Sequence, residues 1–232
     1  MIAPIPHAWQ TKAGCATLPF FGIEPVLLDA TTGQELPSEG PAEGVLAIRH
    51  SWPAMARTLK GNHKRWEEAY FSPYPALFFT GDGARRDEEG FYTITGRVDD
   101  VINVSGHRLS TSEIESALTS HALCAEAAVV GVPHPVKGES VYAFVTLVDG
   151  APWPPPAELK QELNAVVRGG IGAFAAADAI HWAPGLPKTR SGKILRRLLR
   201  KVAVGGSLAD LGDTSTLADP SVVEQLVAMR GK

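Results

Sequence analysis

The sequence predicts an α+β protein built from two consecutive units, and three observations lead to this prediction. Short β-branched and aromatic runs between Gly and Pro turns fill residues 1–98, as expected for an antiparallel sheet or a small barrel. Strand-like and helical patterns then alternate over residues 99–232. A length of 232 residues accommodates one large domain or two modest ones. We therefore expect a boundary near Val98–Asp100.

Composition and charge disfavour several classes of protein. Apolar residues make up 44% of the chain and charged residues 20%, which is typical of globular domains. The formal net charge of −3 disfavours a dedicated nucleic-acid binder, and no apolar run reaches the length of a membrane span. The N-terminus lacks the pattern of a signal peptide, and Cys15 and Cys124 lack metal-type spacing. We therefore expect a cytoplasmic protein with reduced thiols.

Four strands and one helix are predicted in the first unit. The strands are assigned where β-branched and aromatic residues run between turn residues: Gly22–Leu28, Gly44–Arg49, Ala76–Thr80 and Gly90–Thr95. A weak amphipathic pattern predicts a helix over Lys60–Tyr70. Gly81–Glu89 is predicted to be a polar connection between the last two strands.

Strands and helices alternate in the predicted second unit. The predicted strands are Val101–Val104, Ala127–Val132, Val141–Val148 and Ala179–Trp182. The helices are predicted from apolar spacing around Ile114, Leu118 and His121, around Leu159, Leu163 and Val167, after Lys193, and after Asp219. Ser110–Glu113 is predicted to form a capping box, and Ser191 and Asp219 are predicted as N-caps.

Asp82 is the first residue that could take part in chemistry. It lies in Thr80-Gly-Asp82-Gly, after a predicted strand and between glycines that let a ligand approach the backbone. A carboxylate there could bind a ribose diol through paired hydrogen bonds. The alternative is an ordinary β-turn with Asp at a favoured position.

The segment Gly96–Arg108 combines two arginines, two adjacent aspartates and a Ser-Gly-His-Arg turn at the expected boundary. Arginine guanidinium groups can bind phosphate in a bidentate manner. Adjacent aspartates fit a hinge that changes hydrogen-bond partners as it rotates. The alternative is a salt-bridged hairpin where two domains meet.

Pro187–Lys193 is a cationic, glycine-containing loop in front of an amphipathic segment. A flexible lysine ammonium suits a phosphate or carboxylate oxygen that moves during a reaction. The loop has two alternative interpretations, a solvated basic face before a core helix and a phosphate loop of the Walker A type. The spacing of Gly185 and Gly192, with Ile194 after the lysine, excludes the second. Nucleic-acid binding through Lys188–Lys201 is disfavoured because no aromatic residues interleave the charges.

These three motifs, Thr80–Asp82, Gly96–Arg108 and Pro187–Lys193, resemble the last three motifs of the adenylate-forming enzymes. Other segments are similar to the acetate–CoA ligase (acetyl-CoA synthetase) family within that superfamily: Tyr70–Pro73, Tyr92–Arg97, Val136–Gly138, Trp182–Pro187 and Gly212–Val223. The resemblance implies that residues 1–98 are the β-rich C-terminal part of a large AMP-binding domain. Residues 99–232 would be the mobile, hinged α/β domain that carries the catalytic lysine.

The same resemblance implies a two-step reaction with acetate, ATP and CoA as substrates and Mg²⁺ as cofactor. Acetate and ATP give acetyl-AMP and diphosphate, the small domain rotates, and CoA displaces AMP. The family's phosphate loop, acetate pocket and adenine pocket would lie upstream of this sequence. We therefore expect the 232-residue polypeptide alone not to adenylate acetate.

The resemblance also implies roles for individual residues. Lys193 would be the catalytic lysine and Asp99 the hinge. Side chains for ATP would be Asp82, Arg97 and Arg108, and contacts for CoA would be Ser105, Gly106 and Arg168. A metal ion would be bound, largely by backbone oxygens, at Thr119, His121 and Cys124. From the residues alone, His121 is more typical of a packing residue on an apolar helix face.

Acetylation of Lys193 would remove its charge, so a protein acetyltransferase and deacetylase are implied partners. Two alternatives stay open: a non-catalytic interaction or lysine-acetylation-target module with the same fold, and a ligase for another short acyl acid. The glycine-rich segment Arg168–Ala177 departs from the family pattern, and its glycines are expected to loosen the end of the preceding helix.

Overall fold

The computed structural model describes residues 1–212 and 214–230. The chain divides into two compact units, Met1–Asp99 and Asp100–Lys232. Asp213, which belongs to the ligase-like segment Gly212–Val223, lies outside the described residues, as do Gly231 and Lys232. No helix in the described ranges has both the length and the apolar character needed to cross a membrane.

An open, four-stranded antiparallel sheet forms the first unit. Its strands are adjacent in chain order and comprise β1 (Pro25–Leu28), β2 (Ala42–Ile48), β3 (Phe78–Arg86) and β4 (Tyr92–Arg97). Helix α1 (His63–Tyr70) lies between β2 and β3. Apolar side chains of β1 and β2, including Leu28 and Ala47 at 0% exposure, form the core against Tyr74 and Phe79. The sequence predicted an antiparallel sheet or a small barrel. The antiparallel sheet is confirmed, and the barrel is wrong because the sheet does not close.

Strand β3 is longer than predicted, and the prediction of a polar connection over Gly81–Glu89 was wrong. β3 continues to Arg86 because its backbone pairs with β2 on one side and β4 on the other. Glycine permits this close pairing at Gly83, where a Cβ would lie 2.8 Å from Oγ1 of Thr95. Asp82 therefore lies within a strand, opposite Arg97, and the β-turn alternative is wrong.

The second unit is a mixed five-stranded sheet with helices on both faces. The strands are β5 (Ile102–Val104), β6 (His107–Leu109), β7 (Cys124–His134), β8 (Gly138–Leu147) and β9 (Ala179–Trp182). Their order is β6-β5-β8-β7, and β9 pairs with β8 in parallel. The helices are α2 (Thr111–Thr119), α3 (Leu159–Gly170), α4 (Arg196–Ala203) and α5 (Ser221–Met229).

Alternation along β8 divides the core of this unit in two. Val141, Ala143 and Val145 face α2 and α3, whereas Phe144 faces α4 and α5. This follows from the period of two in a strand, which sends successive side chains to opposite faces. The α/β character predicted from the alternating patterns is confirmed.

Helix starts were predicted less well than helix faces. Ser110 precedes α2 but makes no side-chain capping bond, and its Oγ lies 2.7 Å from Oγ of Ser112 instead. Ser191 is not a cap, because α4 begins only at Arg196. Asp219 Oδ1 accepts a hydrogen bond from the amide of Ser221 over 2.9 Å. The N-cap of α5 is Pro220, so the predicted cap lies one residue before it. Strand β6 was not predicted, since three residues carry little pattern.

A buried histidine lies within the α4–α5 core. His181 of β9 is 5% exposed, and its Nδ1 lies 3.3 Å from the hydroxyl of Tyr142. Its Nε2 is also buried, and none of the described residues forms a hydrogen bond with it. Burial lowers the pKa of His181 below its ordinary value, and the positive charge of Arg230 lowers it further. The folded protein therefore favours the neutral imidazole.

We expect the stability of the second unit to fall as the pH drops below about 6.5, the pKa of an unperturbed histidine. Above that pH the imidazole is neutral in both states and the full stability is present. Below it the unfolded chain binds a proton that the folded chain resists until its own, lower pKa is reached. Urea denaturation across pH 7.5–5 measures this effect. His181→Phe should flatten the profile, whereas the same change at exposed His50 should leave it unaltered.

Candidate functional site

Three of the predicted site residues meet at the end of the first unit. Arg97 Nη1 donates to Asp82 Oδ1 over 3.3 Å, and Nε donates to Asp99 Oδ1 over 3.0 Å. Nη1 also donates to the carbonyl of Thr80 over 3.2 Å. The side chains of Asp82 and Arg97 are 33% and 43% exposed, so the cluster is open to solvent. Such a cluster offers carboxylate acceptors for a diol and guanidinium donors for a phosphate.

The guanidinium of Arg97 lies directly against the backbone of Gly81. A Cβ there would lie 2.6 Å from both terminal nitrogens of Arg97, and Gly81 has a φ of +79°, so glycine is needed for two reasons. Burial acts to lower the pKa of Arg97, but Asp99 and Asp82 raise it above its ordinary value. The side chain is therefore a fixed cation beside Asp82.

The two adjacent aspartates are bound to different units. Asp99 ends the first unit and is held by Arg97. Asp100 begins the second unit, where its carboxylate lies 3.8 Å from Nη1 of Arg196 and 3.6 Å from Nη2 of Arg200. Each of the two carboxylates is therefore ion-paired within its own unit, and Asp99 as the hinge stays a prediction.

Ser105 and Gly106 form the two-residue turn between β5 and β6. Their φ angles are 51° and 86°, which is the pattern of a type I′ hairpin turn. A positive φ is uncommon for a serine and persists where the surroundings hold it. Here the amide of Ser105 donates to the carbonyl of Lys137 over 2.9 Å. Arg108 follows in β6 with an exposed side chain.

Alanine substitutions at two glycines should change stability in opposite directions. Gly106→Ala should lower the free energy of unfolding by about 1 kcal/mol, because an L residue is strained at positive φ. Gly169→Ala should raise it by about 0.5 kcal/mol, since Gly169 lies within α3 and alanine is the better helix former. Neither new Cβ would have a neighbour within 4 Å, so the contrast isolates backbone conformation. Urea denaturation measures both, and shifts of the same sign would contradict the turn assignment.

Arg168 is exposed in the last turn of α3, and the helix continues through Gly169 and Gly170. The glycines therefore do not end the helix, and the expectation that they loosen it stays a prediction. Beyond the helix, the ring of Phe174 stacks on the imidazole of His107, with centroids 4.2 Å apart and planes 9° from parallel. This contact joins the segment after Arg168 to the strand that leaves the Ser105–Gly106 turn.

Thr119, His121 and Cys124 surround the end of α2, but their side chains do not converge. Thr119 Oγ1 donates to the helix carbonyl of Glu115, and His121 Nε2 lies 3.4 Å from Glu162. Burial raises the pKa of the Cys124 thiol to about 11, which keeps it protonated. Within the described ranges no cluster of three His, Cys, Asp or Glu side chains could hold a metal. A cation here would depend on carbonyl oxygens, as the resemblance implies, and this metal site stays a prediction.

His121 does not lie on the apolar helix face that the sequence predicted. Helix α2 ends at Thr119, and His121 follows its C-cap. Its Nδ1 accepts the amide of Leu123 over 3.2 Å, so the ring is held in the loop. The sequence analysis had extended α2 two residues too far, although the His121 side chain is only 18% exposed.

The loop that carries Lys193 is closed by its own hydrogen bonds. The amide of Thr189 donates to the carbonyl of Lys193 over 2.9 Å, and the amide of Lys193 donates to Thr189 Oγ1 over 3.1 Å. Gly192 has a φ of +83° and permits the tight return. Lys188 is bound to Glu126 over 2.5 Å, whereas the side chain of Lys193 is exposed. The loop therefore presents one ammonium from a compact base.

Sequence reasoning missed the ion pair that anchors this loop. Arg196, at the start of α4, binds both carboxylate oxygens of Glu115 at 2.9 and 2.7 Å, and the amide of Val129 donates to Glu115 at 2.8 Å. Burial raises the pKa of Glu115 above its ordinary value, although Arg196 and Val129 act to lower it. Arg196 also approaches Asp100, so the network extends from the first residue of the second unit to α4. The sequence had placed Arg196 only on a polar helix face.

A family model and curated relatives match this chain. The model of the AMP-binding enzyme C-terminal domain matches residues 113–193. The acetyl-coenzyme A synthetase of Alkalilimnicola ehrlichii is 60% identical over 230 residues, 99% of this chain and 35% of that protein. The chloroplastic/glyoxysomal acetyl-coenzyme A synthetase of Arabidopsis thaliana is 59% identical over 99% of this chain and 30% of its own length. The chain thus spans about a third of these relatives.

Solved structures share the fold. ATP-bound MatB from Rhodopseudomonas palustris has a TM-score of 0.73 and 25% identity, covering 87% of this chain and 38% of that one. The acetoacetyl-CoA synthetase of Streptomyces lividans has a TM-score of 0.79 at 21% identity, over 93% of this chain and 32% of that one. The resemblance drawn from the motifs agrees with the similarity to acetyl-coenzyme A synthetases, which extends over 99% of this chain.

Proposed function

We propose, from the match of residues 113–193 to the model of the AMP-binding enzyme C-terminal domain, that the chain is the C-terminal part of an ATP-dependent acetate–CoA ligase. Residues 1–98 would complete the large AMP-binding domain, and residues 99–232 would be the mobile domain. The observation that carries this proposal is the Lys193 loop, which presents one exposed ammonium next to a network that runs to Asp100.

In the first step, a carboxylate oxygen of acetate bonds to the α-phosphorus of ATP, and diphosphate leaves. Lys193 would donate hydrogen bonds to the oxygens on which negative charge develops. Asp82 would accept from the ribose hydroxyls, while Arg97 and Arg108 would bind ribose or phosphate oxygens. Mg²⁺, bound with ATP, would supply neutralising charge.

In the second step, the sulfur of CoA bonds to the acyl carbon of acetyl-AMP, and AMP leaves. The second unit would rotate about the link between Asp99 and Asp100. This rotation would move the Lys193 loop away from acetyl-AMP and bring the Ser105–Gly106 turn to it. Arg168 would contact CoA from the neighbouring element. The strained φ of Ser105 and the exposed turn support a role in close backbone approach to a ligand.

The proposal is tested with a chimera that joins this chain to the preceding residues of the Alkalilimnicola ehrlichii relative. We expect the chimera to perform acetate-dependent ATP–diphosphate exchange and to form acetyl-CoA. The 232-residue chain alone should do neither, because the phosphate loop and the acetate pocket would belong to the other two thirds. A folded chimera without exchange activity would overturn the proposal, and so would exchange by the chain alone.

We place the reaction in the cytoplasm, since Cys15 and Cys124 are free thiols.

A second candidate function rests on the exposure of Lys193. A compact loop that presents one lysine is also what a lysine-modifying enzyme needs as a substrate. Incubation with a protein acetyltransferase, followed by mass spectrometry, should find acetyl-Lys193 well above acetyl-Lys188, which is held by Glu126. Equal modification of both lysines would contradict selective presentation.

A further inference from the structure

The stack of Phe174 on His107 lies at the surface of the second unit. Phe174 is 38% exposed, which is unusual for a ring whose partner is also an exposed side chain. Nearly parallel planes at 4.2 Å make this a close contact. A surface stack adds little to the core, so its consequence is local: it fixes the position of β6 at its first residue.

The backbone of Gly172 is shaped to permit this stack. Its φ is +143°, and a Cβ there would lie 2.7 Å from Cε1 and 3.0 Å from Cζ of Phe174. The ring therefore lies over the glycine and reaches His107 only because that side chain is missing. Both residues belong to the glycine-rich segment that departs from the family pattern.

Two contacts reach the Ser105–Gly106 turn and the adjacent His107, in addition to the pairing of β5 with β6. The amide of Ser105 donates to the carbonyl of Lys137 in the β7–β8 hairpin over 2.9 Å. His107 stacks on Phe174 at the exit of α3. Both turn residues are exposed, and a Cβ at Gly106 would meet nothing within 4 Å. The two contacts therefore add to the strand pairing in fixing the orientation of the turn.

We propose that Phe174 is a positioning residue for the thioester-forming step, acting through His107 to orient the Ser105–Gly106 turn toward CoA. This inference rests on the proposed function. The first step would use the Lys193 loop instead, so loss of the stack should affect one half-reaction only. Small displacements of a positioning group can cost up to about 100-fold in rate.

The test uses the chimera with Phe174→Ala, measured in both half-reactions. We expect the KM for CoA to rise about fivefold to tenfold, the size expected for loss of one stack, with acetate-dependent ATP–diphosphate exchange unchanged. Phe174→Tyr should retain the parent KM, because it keeps a planar ring. His107→Ala should match Phe174→Ala, and the double variant should show no further rise. Leu208→Ala removes an exposed apolar side chain (49% exposed) of the same unit, outside both contacts of the turn, and is the matched control.

An unchanged KM for CoA in Phe174→Ala would overturn the inference, and so would an equal rise in Leu208→Ala. An inactive parent chimera would count against the proposed function instead. A second measurement separates the two cases: the amide chemical shift of Gly106 in the 232-residue chain. It should move in Phe174→Ala and stay in place in Leu208→Ala, and no movement would overturn the positioning role whatever the activity.

Discussion

Replacing Lys193 with alanine in the chimera should lower acetate-dependent ATP–diphosphate exchange by about 10²–10³-fold, the usual cost of removing one donor to a developing anion. The loop should stay folded, because the contacts that close it involve backbone atoms and Thr189 rather than the lysine side chain. The release of AMP from preformed acetyl-AMP and CoA should change by no more than about threefold, since the proposal gives Lys193 no role in that step.

Two variants of the same loop serve as controls. Arg190→Ala removes another exposed cation three residues away and should leave exchange within about threefold of the parent. Lys193→Arg keeps the charge but not the compact ammonium, and should recover only part of the lost rate. If Lys193→Ala reduced both half-reactions equally, the lysine would serve binding or folding, and its proposed role would be wrong.

The fold could be predicted where a repeating apolar pattern existed. The periods around Leu163 and Leu198 located α3 and α4 because each helix buries one continuous face. Strand β3 was predicted too short because Gly81, Asp82 and Gly83 resemble turn residues locally. Pairing with β2 and β4 overrides that local preference. Ser191 failed as a cap because the loop forms its own closed turn before α4 begins.

The candidate site was predictable only in part, for a related reason. The residue types of the three motifs and the family resemblance singled out Asp82, Arg97 and Lys193, and the structure brings the first two together as an ion pair. The partners that orient such residues come from distant segments: Glu115 for Arg196, and Phe174 for His107. Those pairings arise from tertiary packing, and no local pattern in a single sequence encodes them.

The Glu115–Arg196 pair is expected to be the most sensitive electrostatic contact in the second unit. Glu115 is 13% and Arg196 22% exposed, so each side chain depends on the other for most of its hydrogen bonds. Glu115→Ala should lower the free energy of unfolding by about 3 kcal/mol, because it leaves a largely buried guanidinium without its main partner. Hydrogen exchange of α2 and β7 peptides, followed by mass spectrometry, measures the loss within this unit.

Glu113→Ala is the matched control, since Glu113 is an exposed carboxylate on the same helix and should shift stability by less than about 0.5 kcal/mol.

A Glu115→Met, Arg196→Met double variant should regain much of the stability lost in the single variant, because it removes both charges and keeps apolar volume. Asp100 would then retain only Arg200 of its two arginine contacts. If the double variant were stable but the chimera carrying it lost acetyl-CoA formation, the network would connect Asp100 to the lysine loop. If it were as unstable as Glu115→Ala, the loss would come from packing and the electrostatic explanation would be wrong.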